Sequence, residues 1–392
     1  MDKINIFKIW VDSDGDITQG DYIKEYTDLK KYNADVSRVY SNRTREFADN
    51  PRKIQELLYL DKPDIIITYK KNENDQDKPI LCIEFSEQTP MGQNSFQRFP
   101  RAVAAAEAGV PFVIVFPEKD WVHRKKEGTS SWEHASPFIF NGLKKLSDFH
   151  GLPVFSINWS GDEEKNSYKG WKNFDQHYSN LPCSQSKEIE KLFKFINLVV
   201  RNSIQNLDVN YLFREKIVQD LLMDLDAKRF RKGKAFLENI TSKSLIRINT
   251  NDIEKYIKEN TAGLPFNQTI LPDYIKSRAE ALIFYAETIN FRSDPYTGTM
   301  LVYDYSFCRY GSNKADRHTN LIIHFPKIEF EQIVRKYQSY YTGRCPFKDA
   351  DMDDPGYLTL HLRDGCKFTK QKEFRIFFYF ADIIILKDKV LY

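Results

Sequence analysis

Two acidic residues stand where strands should end. Asp64 opens a run in which Ile65 to Thr68 are all β-branched, and Glu84 nearly closes a second apolar run, Pro79–Phe85, after a step of 20 residues. A polar hairpin loop, Lys70–Lys78, separates the runs, so the two carboxylates can meet at one edge of a strand pair. Side chains alternate along a strand. Cys82, Glu84 and Ser86 therefore share one face of the second run, and Leu81, Ile83 and Phe85 take the opposite, core-facing side. A carboxylate buried alone is costly, and a bound cation is one way to offset that cost. Magnesium takes carboxylate oxygens, backbone carbonyls and water. Asp64, Glu84 and the carbonyl of Phe85 offer such a set. A metal held there can activate water and stabilise charge on a phosphodiester.

The next stretch, Thr89–Arg101, adds amides and two arginines within reach of the same edge. Arg98 and Arg101 are three apart, share a helix face and can grip phosphate, while Gln93, Asn94 and Gln97 are candidate DNA contacts. The plainer reading is that Gln97 and Arg98 only cap the following helix.

With Pro63-Asp64 as a first half-motif and Glu84-Phe85-Ser86 as a second, residues 40–120 resemble the PD-(D/E)xK nuclease superfamily, type II restriction endonucleases in particular. The helix and strand that follow match that family's core order. The resemblance implies a magnesium site at Asp64, Glu84 and Phe85, with manganese able to substitute. The chain departs from the pattern where Ser86 stands in place of the usual lysine. Gln88 is the first candidate to fill that role, then Glu87, then Lys70, which lies on the same strand face as Asp64. Family members often add a glutamate from a preceding helix, and Glu46 is the candidate here, since Glu56 belongs to an ordinary amphipathic helix. A surface salt bridge is the competing reading for both.

The elements that must position these residues are legible in outline. Ile4–Val11 reads as a strand. The acidic turn Asp12–Asp16 resembles a calcium loop but has Ile17 where glycine belongs and Ile23 where glutamate belongs, so it reads as a polar turn. A helix is expected after Asn50, with Asn50 as its cap, Pro51 in its first position and Ile54, Leu57 and Leu58 as its buried stripe. Strands follow over Asp64–Tyr69 and Pro79–Phe85. The next helix spans Phe96–Ala108 with a kink at Pro100, or begins near Pro100, and ends at Gly109. Strands Val110–Phe116 and Pro153–Trp159 complete an α/β nuclease core with a mixed sheet flanked by helices, residues 1–160. Residues 161–185 are polar and turn-rich, a candidate linker. Ile189, Leu192, Phe193, Phe195, Ile196 and Val199 make one apolar helical face, which predicts a mostly helical region over 161–270. Strands Thr299–Tyr305, Asn320–Phe325 and Glu373–Leu386 predict an α+β region over 271–392.

The whole chain sets the remaining bounds. Its 41% hydrophobic and 14% aromatic residues suffice for packed cores and argue against wholesale disorder. A net charge of +3 says little about a polyanionic partner, but Lys228, Arg229, Arg231, Lys232 and Lys234 form a basic run suited to general phosphate contacts or to a solvated loop. Five widely spaced cysteines with no CxxC pair argue against a disulfide scaffold and for a reducing, cytoplasmic setting, and Met1–Asn5 leads into no apolar signal region. No run of about 18 apolar residues predicts a membrane span. The expectation is a sequence-specific, magnesium-dependent double-stranded DNA endonuclease. It would act as a homodimer on palindromic sites, with a DNA methyltransferase encoded nearby. The alternatives are another nuclease of the same superfamily, acting in repair, transposition or phage defence, and an inactive nucleic-acid-binding module.

Overall fold

The computed structural model describes residues 6–13, 16–40, 45–58, 62–90, 98–124, 128–159, 174–229, 245–261, 271, 273–285, 318–333, 381–388 and 390–391. The fold is mixed α/β, with mixed sheets flanked by helices, in two units spanning residues 1–231 and 232–392.

In the first unit the strands are β1 (Ile6–Val11), β2 (Asp35–Arg38), β3 (Ile65–Lys70), β4 (Lys78–Phe85), β5 (Phe112–Pro117) and β8 (Val154–Trp159). They form one sheet in the order β2-β1-β3-β4-β5-β8. Strand β3 pairs antiparallel with both β1 and β4, whereas β4, β5 and β8 pair in parallel. Strands β1, β4, β5 and β8 therefore point the same way. Their C-terminal ends gather at one edge of the sheet with the start of β3, which is where such sheets place their sites. Strands β6 (Lys119–Arg124) and β7 (Thr129–His134) form a separate hairpin, in which Trp121 opposes Trp132 with ring centroids 5.2 Å apart.

Helices cover both faces. Helices α1 (Ile17–Tyr26) and α5 (Lys187–Ile204) lie on the side of Phe85 and Phe155. Tyr22 meets Phe85 edge-on at 6.2 Å, and Phe195 meets Phe155 at 4.9 Å. Helices α3 (Phe99–Glu107), α4 (Pro137–His150) and α6 (Lys216–Arg229) pack in series on the other side, where Phe140 meets Phe116 at 6.0 Å. Glu84 therefore does not face outward opposite a core-facing Phe85. Both faces of β4 are buried, as crossover helices require of parallel strands. Helix α1 sits tight on the sheet. A Cβ on Gly20 would come within 2.7 Å of Val36 Cγ1, so this contact needs glycine.

Local expectations fare unevenly. Helix α3 begins at Phe99 with Pro100 in its first turn, the second of the two readings, and Gly109 closes it at φ 75°. Helix α2 (Arg52–Leu57) follows Pro51, with Ile54, Leu57 and Leu58 buried. Asn50 does not cap it. Its amide clamps Tyr40 instead, accepting from the Tyr40 N–H and donating to the Tyr40 carbonyl, both at 2.8 Å. Two hydrogen bonds to a distant backbone outweigh one to a helix end.

The second unit carries β9 (Leu245–Asn249), β10 (Glu280–Tyr285), β11 (Thr319–Phe325), β12 (Ile383–Leu386) and β13 (Val390–Leu391), in the sheet order β13-β12-β11-β10-β9. The central three strands are parallel and the edge strands antiparallel. Helix α7 (Ile253–Asn260) packs Ile253 and Ile257 onto Ile283, Ile322 and Ile385. Beneath the strand starts, Arg278 is buried against Asp382 at 2.9 Å and donates to Asn320 at 3.0 Å. The expected bounds lay at 160 and 270, whereas the two units meet at 231 and 232. Helices α5 and α6 belong to the first unit, because their apolar faces complete its core on β8. The strand expected over Thr299–Tyr305 lies outside the described residues, as does most of Glu373–Leu386 before Ala381.

Candidate active site

The hairpin register pairs Ile65 with Ile83, which sets Asp64 beside Glu84. The two residues hold each other in place. The Asp64 N–H donates to Glu84 Oε2 at 3.2 Å, and the Phe85 N–H donates to Asp64 Oδ2 at 2.8 Å. Glu84 is fully buried and Asp64 is 8% exposed. The charges are met by the start of α3. Arg101 donates to Asp64 Oδ1 at 3.1 Å and also contacts Glu84 Oε1. Arg98 Nη1 contacts Glu84 Oε1, donates to the Phe85 carbonyl at 2.7 Å and lies 3.8 Å from Asp64 Oδ2. The arginines expected to face substrate phosphate thus face the protein's own carboxylates, because buried acids need positive charge close by.

Burial, then the neighbouring charge of Glu84, pushes the Asp64 carboxyl up to about 8, against the pull of Arg101, Arg98 and the Phe85 N–H. The consequence for stability has a definite sign. Between the ordinary value of 3.8 and about 8 the folded state binds more protons at Asp64 than the unfolded state does. Stability must therefore fall as pH rises through that window. Urea midpoints of the metal-free protein should decline from about pH 5 to pH 8, and Asp64→Asn should flatten the decline. A slope unchanged by that substitution would assign it to other groups.

A cleft of about 560 Å³ opens beside this cluster, lined among others by Asp16, Asp64, Glu87, Gln88, Arg98 and Trp159. The turn Ser179–Pro182 also lines it. Asp175 braces that turn by accepting from the N–H groups of His177, Tyr178 and Ser184 and from the Ser184 hydroxyl. These bonds hold the Asp175 carboxyl below its ordinary value despite its burial.

Two further carboxylates reach the site. Because β1 pairs with β3, the chain leaving Val11 runs beside Asp64, and the Asp12 N–H donates to the Asp64 carbonyl at 3.1 Å. Asp12, Asp16 and Asp64 each bring an oxygen within 4.8 Å of the others. Lys62 pairs with Asp12, and the Ser13 hydroxyl donates to Asp16 at 2.7 Å. The sequence offered a signal here, since the acidic turn was conspicuous. Only the long-range β1–β3 pairing, however, directs it at Asp64.

The remaining candidates separate cleanly. The Ser86 hydroxyl donates to the Gln88 carbonyl at 2.7 Å and turns the chain, so that Glu87 and Gln88 stand exposed on the cleft wall. Lys70 is excluded from the lysine role. It sits at the opposite end of β3, about 20 Å from Asp64 at 3.3 Å per residue, and donates to the Glu73 carbonyl. Glu46 lies exposed on a 3-10 turn, Arg45–Asp49, away from the cleft lining. Among the described residues, Asp12 and Asp16 rather than Glu46 are the carboxylates grouped with Asp64. Gln93, Asn94, Gln97, Arg231 and Lys232 lie outside the described residues.

Lys228 is not a surface phosphate contact. It is buried at the end of α6, donates to Asn158 Oδ1 at 2.7 Å and pairs with Asp224, while Arg229 pairs with Asp226 at 2.9 Å. Lys228→Met should cost roughly 1–3 kcal/mol of stability. It should leave the salt dependence of DNA binding unchanged, whereas a true phosphate contact would flatten the slope by about 0.9. Denaturant titration and a salt series of binding measurements check both halves.

No protein-family model matches the chain, and neither a curated protein nor a solved structure matches it. Among the described residues, no helix is long and apolar enough to cross a membrane.

Proposed function

We propose that the first unit is a divalent-metal-dependent nuclease that hydrolyses phosphodiester bonds in double-stranded DNA. One observation carries this reading. Two carboxylates and one main-chain carbonyl, from Glu84, Asp64 and Phe85, converge on a single cationic nitrogen, Arg98 Nη1. That donor set suits magnesium or manganese. Asp64, Glu84 and the Phe85 carbonyl would hold the ion, which when bound supplies an activated water and neutralises charge on the phosphate.

The chain's own residues do the rest. Gln88, and after it Glu87, stand exposed where a side chain can orient the attacking water. Arg101 fixes the two acids from behind. Asp16 adds negative charge on the cleft wall, and Asp12, paired with Lys62, lies within reach of both Asp16 and Asp64. The strand order also favours the PD-(D/E)xK reading, since an antiparallel pair bearing the acids is followed by a helix and a strand parallel to the second acid's strand. Sequence-specific restriction by a homodimer is the finer form of the proposal. The second unit would then supply added surface for reading base edges, and a methyltransferase would protect host DNA.

A second reading has its own support. Both carboxylates are already neutralised by Arg98 and Arg101, and Ser86 replaces the usual lysine, as in a fold that binds nucleic acid without cutting it. Incubation with duplex DNA and magnesium separates these outcomes. Discrete fragments support restriction, a smear supports a nuclease without sequence preference, and intact DNA that is nonetheless bound supports the binding module.

A further inference from the structure

Arg98 occupies the seat that the proposed reaction reserves for a metal. A divalent ion drawn to Glu84 Oε1, the Phe85 carbonyl and Asp64 would take the position that Arg98 Nη1 now holds between them, and two cations that close repel strongly. We infer that Arg98 is a latch. In the free protein it holds the metal seat closed, and when duplex DNA enters the cleft it transfers to a backbone phosphate and opens the seat to the ion. The inference rests on the nuclease reading and concerns how that site is loaded.

The two arginines differ in the way a latch requires. Arg101 lies within α3, its side chain only 9% exposed, and spans both carboxylates. Arg98 flanks the helix start, its side chain is 33% exposed, and it lines the cleft. Arg98 can therefore swing into the cleft while Arg101 stays to hold the acids. A planar guanidinium suits a phosphate at least as well as a carboxylate, because it can donate two parallel hydrogen bonds to either. Leaving Glu84 for DNA thus trades one strong pairing for another, and the arriving ion replaces the lost positive charge. Coupling of this kind is reciprocal, so DNA must raise metal affinity by the factor by which metal raises DNA affinity. Arg98 is a positioning residue in this scheme, and metal binding in the absence of turnover exposes it.

The test measures Mn²⁺ binding to the full-length protein by electron paramagnetic resonance, alone and with a phosphorothioate duplex that resists cleavage. Arg98→Ala should bind Mn²⁺ at least tenfold more tightly than the wild type without DNA. The duplex should tighten binding to the wild type but not to the variant. Arg98→Gln, which keeps much of the side-chain volume without the charge, should behave the same way and serves if the alanine variant fails to fold. Equal Mn²⁺ affinity in wild type and variants, lost on Glu84→Gln, would overturn the latch and leave the nuclease reading intact. No Mn²⁺ bound by any of them, with or without DNA, would overturn the nuclease reading and the latch with it.

Discussion

Glu84→Gln should lower single-turnover DNA cleavage on the order of a thousandfold, equivalent to about 4 kcal/mol of transition-state stabilisation. The substitution keeps the volume of a fully buried side chain and an oxygen able to accept from the Asp64 N–H, so the hairpin edge survives. What disappears is one of the two carboxylates that the proposed metal site would need. Asp64→Asn should have the same consequence, because its carboxylate both faces Arg101 and accepts from the Phe85 N–H that orients the third donor. Binding of duplex DNA should persist in both variants. Cleavage within tenfold of wild type by either one, with folding confirmed by circular dichroism, would remove these residues from the reaction.

Arg101→Met should be the most damaging single change to the stability of the first unit, at roughly 3–5 kcal/mol, the usual cost of stripping one partner from a buried charge cluster. Methionine fills the space but leaves Glu84, wholly buried, with Arg98 and the Asp64 N–H and without the second guanidinium, and leaves Asp64 without its nearer guanidinium contact. Adding Glu84→Gln should restore part of the loss, since the double variant no longer buries an unmatched charge. Urea unfolding of the four proteins in that cycle gives the coupling. A coupling energy below about 0.5 kcal/mol, the range of independent sites, would show that Arg101 stabilises α3 by packing rather than by charge.

The parts of this site that could be read from sequence were those fixed by local periodicity. Asp64 sits where a β-branched run begins and Glu84 where an apolar run nearly ends, and a hairpin brings such ends together whatever the rest of the chain does. Gly109 and Pro100 announced the limits of α3 for equally local reasons. Other features depend on contacts made at a distance. Asp12 and Asp16 become site residues only because β1 pairs with β3 across more than fifty intervening residues. Arg98 and Arg101 carry charges that suit phosphate or carboxylate equally, and sequence spacing cannot tell which they face. Lys228 looked like one member of a solvated basic run, yet the polar side chain of Asn158 on β8 draws its ammonium inward. Helix α1 went unread because Gly20 interrupts it and its apolar residues form no clear stripe. The hairpin β6–β7 escaped because the sequences Lys119–Arg124 and Thr129–His134 are largely polar.

Trp159 ends β8 and lines the same cleft as Arg98 and Asp64, with only 2% of its surface exposed. An indole so placed emits at short wavelength and is sensitive to a charge or a quencher arriving nearby. The protein thus carries an optical gauge of its own cleft. With Trp10, Trp121, Trp132 and Trp171 replaced by phenylalanine, intrinsic fluorescence would report entry of nucleic acid or a paramagnetic ion in real time, without a label and without waiting for a bond to break.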